Sequence, residues 1–108
     1  MATTYKVLGQ SNPAAATDTT LYTVPALTET VVSTITVANL GTTGTFRVAV
    51  RAAGASIANQ HYVVYNAGLN ANDSITLTLG VTLGATDFIT VRASNTSFAF
   101  QAFGSEIV

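Results

Sequence analysis

Chemistry at neutral pH needs a group that titrates there, and this chain has one histidine, His61. A hydrolytic triad would join it to a serine and to an acid such as Asp73 or Asp87. The Gly-x-Ser-x-Gly elbow that exposes a nucleophilic serine is absent from the sequence. His61 opens a run of strand-forming residues, so it reads as a strand-end histidine hydrogen-bonded near the surface. Zinc needs several His, Cys or acidic ligands, and the chain has no cysteine. Asn70-Ala71-Asn72-Asp73 clusters oxygen ligands but lacks the spacing and bidentate Glu of an EF-hand loop. It reads as an Asx-turn leading into a strand. Only five acids are present, none in a cleft-like aromatic context suited to glycoside chemistry. The expectation is a protein without catalytic residues, metal or cofactor.

Recognition is the chemistry that remains. Arg47, Arg51 and Arg92 sit at outward positions of alternating segments. Arg47 and Arg51 share one strand face, about 13 Å apart by strand rise. They suit either acids on a neighbouring subunit, since Arg is enriched at interfaces, or a solvated edge that discourages aggregation. Tyr5, Tyr22, Tyr62 and Tyr65 are the tyrosines available for a sugar platform, with Tyr62 and Tyr65 expected between layers. Tyr5, Lys6, Tyr22, Arg47, Arg51 and Arg92 are therefore the candidate interface residues. Gly41, Gly44, Gly80 and Gly84 fall between strands with no helix following, so they read as turn glycines and not as a phosphate cradle.

The elements that must position these residues are all strands. Thr and Val dominate, and both are stiff at χ1 and suited to a pleated surface. The pattern predicts strands at 5–8, 21–24, 29–39, 45–51, 61–66, 73–79, 88–93 and 97–103, with 106–108 as an extension. A polar loop spans Gly9 to Asp18, and Pro25 stops the second strand. In the longest strand Val31, Ser33, Ile35 and Val37 share one face, and Val32, Thr34, Thr36 and Ala38 the other. The next segment points Phe46, Val48 and Val50 inward, and with the short Leu40–Gly44 loop the two segments read as a β-hairpin. His61 to Asn66 carries large residues on both faces, which suggests a strand covered by a partner or an arm. Ile89, Val91 and Ala93 point inward, as do Phe98, Phe100 and Ala102. About eight short strands with regular turn signals predict an all-β fold, an antiparallel β-sandwich or a jelly-roll-like arrangement. Residues 1–19 form an N-terminal strand and extended arm, and 20–108 a single β-sandwich domain.

Composition narrows the function class. The chain has 108 residues, 48% hydrophobic but only 8% charged, with a formal net charge of −1. About a quarter charged is usual. Four basic residues against five acids exclude an electrostatic nucleic-acid binder. A neutral Thr, Ser, Ala, Asn and Gly surface fits a permanent assembly, whose contact cores are depleted of charge. The N-terminal Met-Ala-Thr-Thr-Tyr-Lys lacks the basic and apolar regions of a secretory signal, which predicts synthesis in a cytoplasm. No apolar run is long enough for a membrane-spanning helix, so no membrane partner is expected.

Four segments carry a resemblance: Thr20-Leu21-Tyr22-Thr23-Val24-Pro25, Thr45 to Arg51 (TFRVAVR), Gln60 to Tyr65 (QHYVVY), and Asn72-Asp73 onward to Leu83. Together they resemble a family of short virion structural proteins of tailed bacteriophages, including phages of aquatic bacteria. The resemblance covers nearly the whole chain, and its motifs are structural, not chemical. It implies a virion location and other virion proteins as partners, either the major capsid protein or tail proteins. It implies a capsid decoration (cement) protein acting as a homo-oligomer, with a trimer as one stoichiometry. A tail, baseplate or fibre component with a glycan- or receptor-binding role is the alternative. The segment from Met1 to about Thr20 is expected to reach over a neighbour and pair with a sheet edge.

Overall fold

The computed structural model describes residues 2–108. Eight strands form: β1 (Thr3–Ser11), β2 (Thr19–Thr23), β3 (Glu29–Asn39), β4 (Gly44–Arg51), β5 (Tyr62–Leu69), β6 (Ser74–Leu83), β7 (Phe88–Ala93) and β8 (Phe98–Ile107). The only helical element among the described residues is a 3-10 turn at Asn59–His61. The strands make two antiparallel four-stranded sheets, in the order β1-β8-β3-β6 and β2-β7-β4-β5. The antiparallel all-β sandwich is as expected from the sequence, and its strand order is that of a jelly roll. The ladders β4–β5, β3–β6, β2–β7 and β1–β8 are successive rungs of one long hairpin. Rolling it up adds the β3–β8 and β4–β7 ladders.

The roll corrects one expectation. β3 and β4 do not form a hairpin, because they lie in opposite sheets and Leu40–Thr43 crosses between the layers. The hairpin at this point is β4–β5, closed by the longer segment 52–61.

The core fills the space between the sheets. Phe46 from one sheet meets Phe98 and Phe100 from the other, with ring centroids 6.1 Å apart in both pairs. Offset and edge-on pairs of this kind add about 0.5–1.5 kcal/mol beyond area burial. Val24, Val32, Ile35, Val37, Val48, Ile89 and Val91 complete a fully buried layer. The inward sets assigned to β4, β7 and β8 face this core.

β3 departs from simple alternation. Its inward residues are Thr30 and Val32, then Ile35, Val37 and Asn39. A bulge between Val32 and Thr34 inserts one residue, Ser33, and resets the face. Val31 and Ser33 therefore point outward, against the expectation that grouped them with Ile35 and Val37. A similar shift lies between Val7 and Gly9 in β1. Two glycines accommodate these bulges. A Cβ on Gly104 would strike the backbone carbonyl of Val31, and one on Gly9 that of Leu21. Side chains there are excluded by close backbone approach.

β1 is longer than expected. It runs from Thr3 to Ser11 and is bonded to β8 along its length, which makes it an edge strand of the same sandwich and not a free arm. β6 likewise continues through Gly80 to Leu83 where a connection was expected. β5 is an edge strand too, and no part of the described chain covers its outer face, where Val63 and Tyr65 are exposed.

Candidate interaction surfaces

The two outer faces of the sandwich carry the candidate residues, and they differ in chemistry. On the sheet β2-β7-β4-β5, the chain's three arginines gather on one face. Arg47 lies directly opposite Arg92 in the β4–β7 ladder, and Arg51 opposite Phe88. Like charges directly across a ladder destabilise it. Each guanidinium is therefore held by something else. Arg92 meets Asp18 at 3.6 Å. Arg51 Nε and Nη2 donate to the Ala55 carbonyl at 3.1 and 2.6 Å, with the guanidinium 4.6 Å from the Phe88 ring centroid. Arg47 Nε donates to Asn66 Oδ1 at 2.7 Å, and its guanidinium stacks 4.3 Å from the Tyr65 centroid.

Tyr62 and Tyr65 belong to this outer face, which corrects their expected place between the layers. Bulges in β5 turn both rings onto Arg47, and they meet edge-on at 4.8 Å. Tyr65 stays 56% exposed. With Asn59 the two tyrosines line a notch of 430 Å³. An aromatic wall, an amide and a neighbouring guanidinium can stack on an apolar sugar face and bond its hydroxyls.

The outer face of the sheet β1-β8-β3-β6 has no charge along its central ranks. Gln10, Gln101, Thr36 and Thr76 form one rank across the four strands. Val7, Phe103, Thr34 and Thr78 form the next, and Tyr5, Ser105, Val31 and Thr82 another. Gln10 Nε2 donates to Gln101 Oε1 at 3.0 Å. Tyr5, Val7, Val31 and Phe103 line a shallow depression of 660 Å³ together with Lys6, whose ammonium is paired with Glu106, and with Ser33, Gly104 and Ser105. Tyr5 is 83% exposed and Val7 47%.

The structure takes Tyr22 out of the interface set. It is 8% exposed and lies between the sheets. Its hydroxyl donates to Glu106 Oε2 at 2.5 Å and lies 2.8 Å from Thr30 Oγ1. Lys6 Nζ donates to Glu106 Oε1 at 3.1 Å. Lys6, Glu106, Tyr22 and Thr30 thus tie β1, β8, β2 and β3 at one end of the roll. Burial, reinforced by the neighbouring Glu106, pushes the Tyr22 phenol up to about 12. The phenol's hydrogen bond and then Lys6 hold the Glu106 carboxyl below its ordinary range. The arrangement is a polar clasp. At the opposite end, buried Asn39 donates to the Thr42 and Leu69 carbonyls and accepts from Gly41 N–H and Ser97 Oγ.

The other polar groups singled out serve turns. His61 Nδ1 accepts from Ala58 N–H at 3.0 Å. Asp73 Oδ1 accepts from Ser74 N–H at 2.8 Å, in a turn where Asn72 has φ 61°. Among the described residues no group of three or more His, Cys, Asp or Glu side chains is placed to hold a metal. No helix among them is long and apolar enough to cross a membrane.

Sequence reasoning missed Asp18, Asn59, Asn66, Val7, Val31 and Phe103 as surface determinants. Phe103 alone had a signal, being an aromatic at an outward position of its strand. A scan against protein-family models, a search of curated proteins and a search of solved structures each return no match to this chain.

Proposed function

We propose that the chain is a non-enzymatic structural subunit of a phage virion, acting as a capsid decoration protein, with the outer face of β1-β8-β3-β6 as its contact face. The observation that carries this reading is that face's three uncharged ranks around an exposed depression whose one charge, Lys6, is paired within the chain. Contact cores of stable interfaces are depleted of charge in the same way. The two clasps at the ends of the roll supply the rigidity that tiling in many copies requires. The jelly roll is used by capsid and by lectin domains alike, so the fold leaves the choice to the surface. Antibody raised against this chain, coupled to gold and applied to purified phage particles, tests the reading. Gold spread over the head is the expected result, and particles without label in intact and opened form would overturn it.

The Tyr62–Tyr65–Asn59 notch favours a second reading, a tail, baseplate or fibre component that binds glycans. Gold confined to the tail, with sugar-dependent chemical shifts at Tyr65, would select it.

A further inference from the structure

We propose that the free edge of β1 pairs with β1 of a second copy of this chain about a two-fold axis, with Tyr5 facing Tyr5 at its centre. The inference rests on the reading of the chain as an assembling structural subunit and names that subunit's partner.

A jelly roll has four edge strands, here β1, β6, β2 and β5. Unpaired edges invite further strands, and proteins blunt them by shortness, bulges or charge. β2 has five residues, with a register shift between Thr20 and Tyr22. β5 is broken by two shifts and by a positive φ of 52° at Asn66. β6 keeps a regular stretch from Ser74 to Thr78, but its outward side chains there are Ser and Thr and its apolar Ile75 is less exposed than Tyr5 or Val7 of β1, so pairing would bury less apolar surface. β1 is regular from Thr3 to Val7 and holds two exposed apolar residues on its outer face, Tyr5 and Val7. Its one charge, Lys6, is already neutralised by Glu106 of the same chain. The edge is therefore regular from Thr3 to Val7, and its single charge is paired within the chain.

The ladder fixes which backbone groups are free. Ala2 and Val108 exchange both N–H···O bonds, at 3.0 and 2.9 Å. In an antiparallel pair such exchanges recur at every second residue. Thr4 opposite Glu106 and Lys6 opposite Gly104 are therefore the next bonded pairs. Thr3, Tyr5 and Val7 then aim their N–H and C=O groups away from β8. A second β1 running antiparallel can take all three. Tyr5 bonds its twin, Thr3 bonds Val7 of the second copy, and Lys6 lies opposite Thr4 and not opposite its own twin. Like-charge contact across the ladder is avoided. The two depressions framed by Tyr5, Val7, Val31 and Phe103 join across the axis, and the two four-stranded sheets become one of eight. An isologous contact of this kind closes into a dimer, which becomes the unit of assembly in place of a trimer.

The chain has no cysteine, so single cysteines report the register cleanly. Facing Cα atoms of a bonded pair lie about 5.5 Å apart, within disulfide reach. The purified protein is expected to sediment as a dimer, and Tyr5→Cys to give a covalent dimer on mild oxidation. Thr3→Cys alone gives none, whereas Thr3→Cys with Val7→Cys does. Tyr5→Pro removes an N–H that the β8 ladder does not use, so the fold survives and association weakens about tenfold or more. Circular dichroism and thermal unfolding of that variant establish that the fold is kept. A monomer at every concentration, as a strand from a different protein on this edge would leave, overturns the proposal. So does equal cross-linking of Thr3→Cys and Tyr5→Cys. These outcomes are read on the isolated protein, so they stand apart from the particle labelling, which tests the virion reading itself.

Discussion

The two outer faces of the sandwich are built on the same four-stranded frame and present opposite chemistry. The face over β4 and β7 collects all three arginines, and each is engaged within the chain by Asp18, Ala55 and Phe88, or Asn66 and Tyr65. The face over β3 and β8 is a neutral plane of Thr, Gln and Ser with a shallow hollow near one edge. Guanidiniums held by their own chain keep one face hydrated and defined. A face of neutral polar groups carries a smaller desolvation cost when covered than one of charges. On the proposed reading, assembly uses the neutral face and the arginine face is left for solvent or a polar ligand.

The largest expected effect comes from distorting the neutral face. Gly104→Ala drives a Cβ into the Val31 carbonyl, and β3 and β8 must part. A loss of about 3 kcal/mol is expected, measured by urea unfolding. Gly54, unlike Gly104, has a positive φ, 72°, and nothing within 4 Å, so Gly54→Ala costs only about 1 kcal/mol.

The clasp beneath that face comes next. Tyr22→Phe removes the donor to Glu106 and costs about 1–3 kcal/mol. It also changes the pH profile. The Tyr22 phenol is raised above its ordinary 10.0 to about 12, so its contribution is complete below pH 10.0 and fades as pH climbs towards 12. Glu106 is lowered, so its contribution is present above the ordinary carboxylate range and fades as pH falls through the folded value. Unfolding measured across pH should show both declines in the native protein, with the alkaline one gone and the acid one reduced in Tyr22→Phe.

A charge placed on the neutral plane separates assembly from stability. Thr36→Glu is expected to change unfolding by no more than about 0.5 kcal/mol, yet to weaken incorporation into particles about tenfold or more. Arg47→Ala gives the smallest effect. Loss of an exposed cation–π contact costs about 0.5–1 kcal/mol, and incorporation is unchanged.

The strands and their inward sets were legible where alternation runs unbroken, as in Phe46 to Val50 and Phe98 to Ala102. Periodicity reports a face but not a partner. The Glu29–Asn39 and Thr45–Arg51 segments look like a hairpin because nothing local shows that they diverge into opposite sheets. One extra residue at Ser33 inverts the period, so Val31 read as core and stands at the surface. The arginine face was half legible, since Arg47 and Arg51 share parity within one strand. Its pairing with Arg92 depends on a ladder between β4 and β7 that only the rolled topology creates. Tyr22 read as an interface residue because its burial comes from both sheets at once.

Thiol labelling of assembled particles tests the contrast between the faces most directly. Thr78 and Tyr65 lie on opposite outer faces and are both exposed in the single chain. Phage particles carrying Thr78→Cys or Tyr65→Cys would be treated with a maleimide, with the free protein as reference. The account predicts that Thr78→Cys is protected in the particle while Tyr65→Cys reacts as it does in free protein. Protection of Tyr65→Cys with full reaction of Thr78→Cys would contradict it.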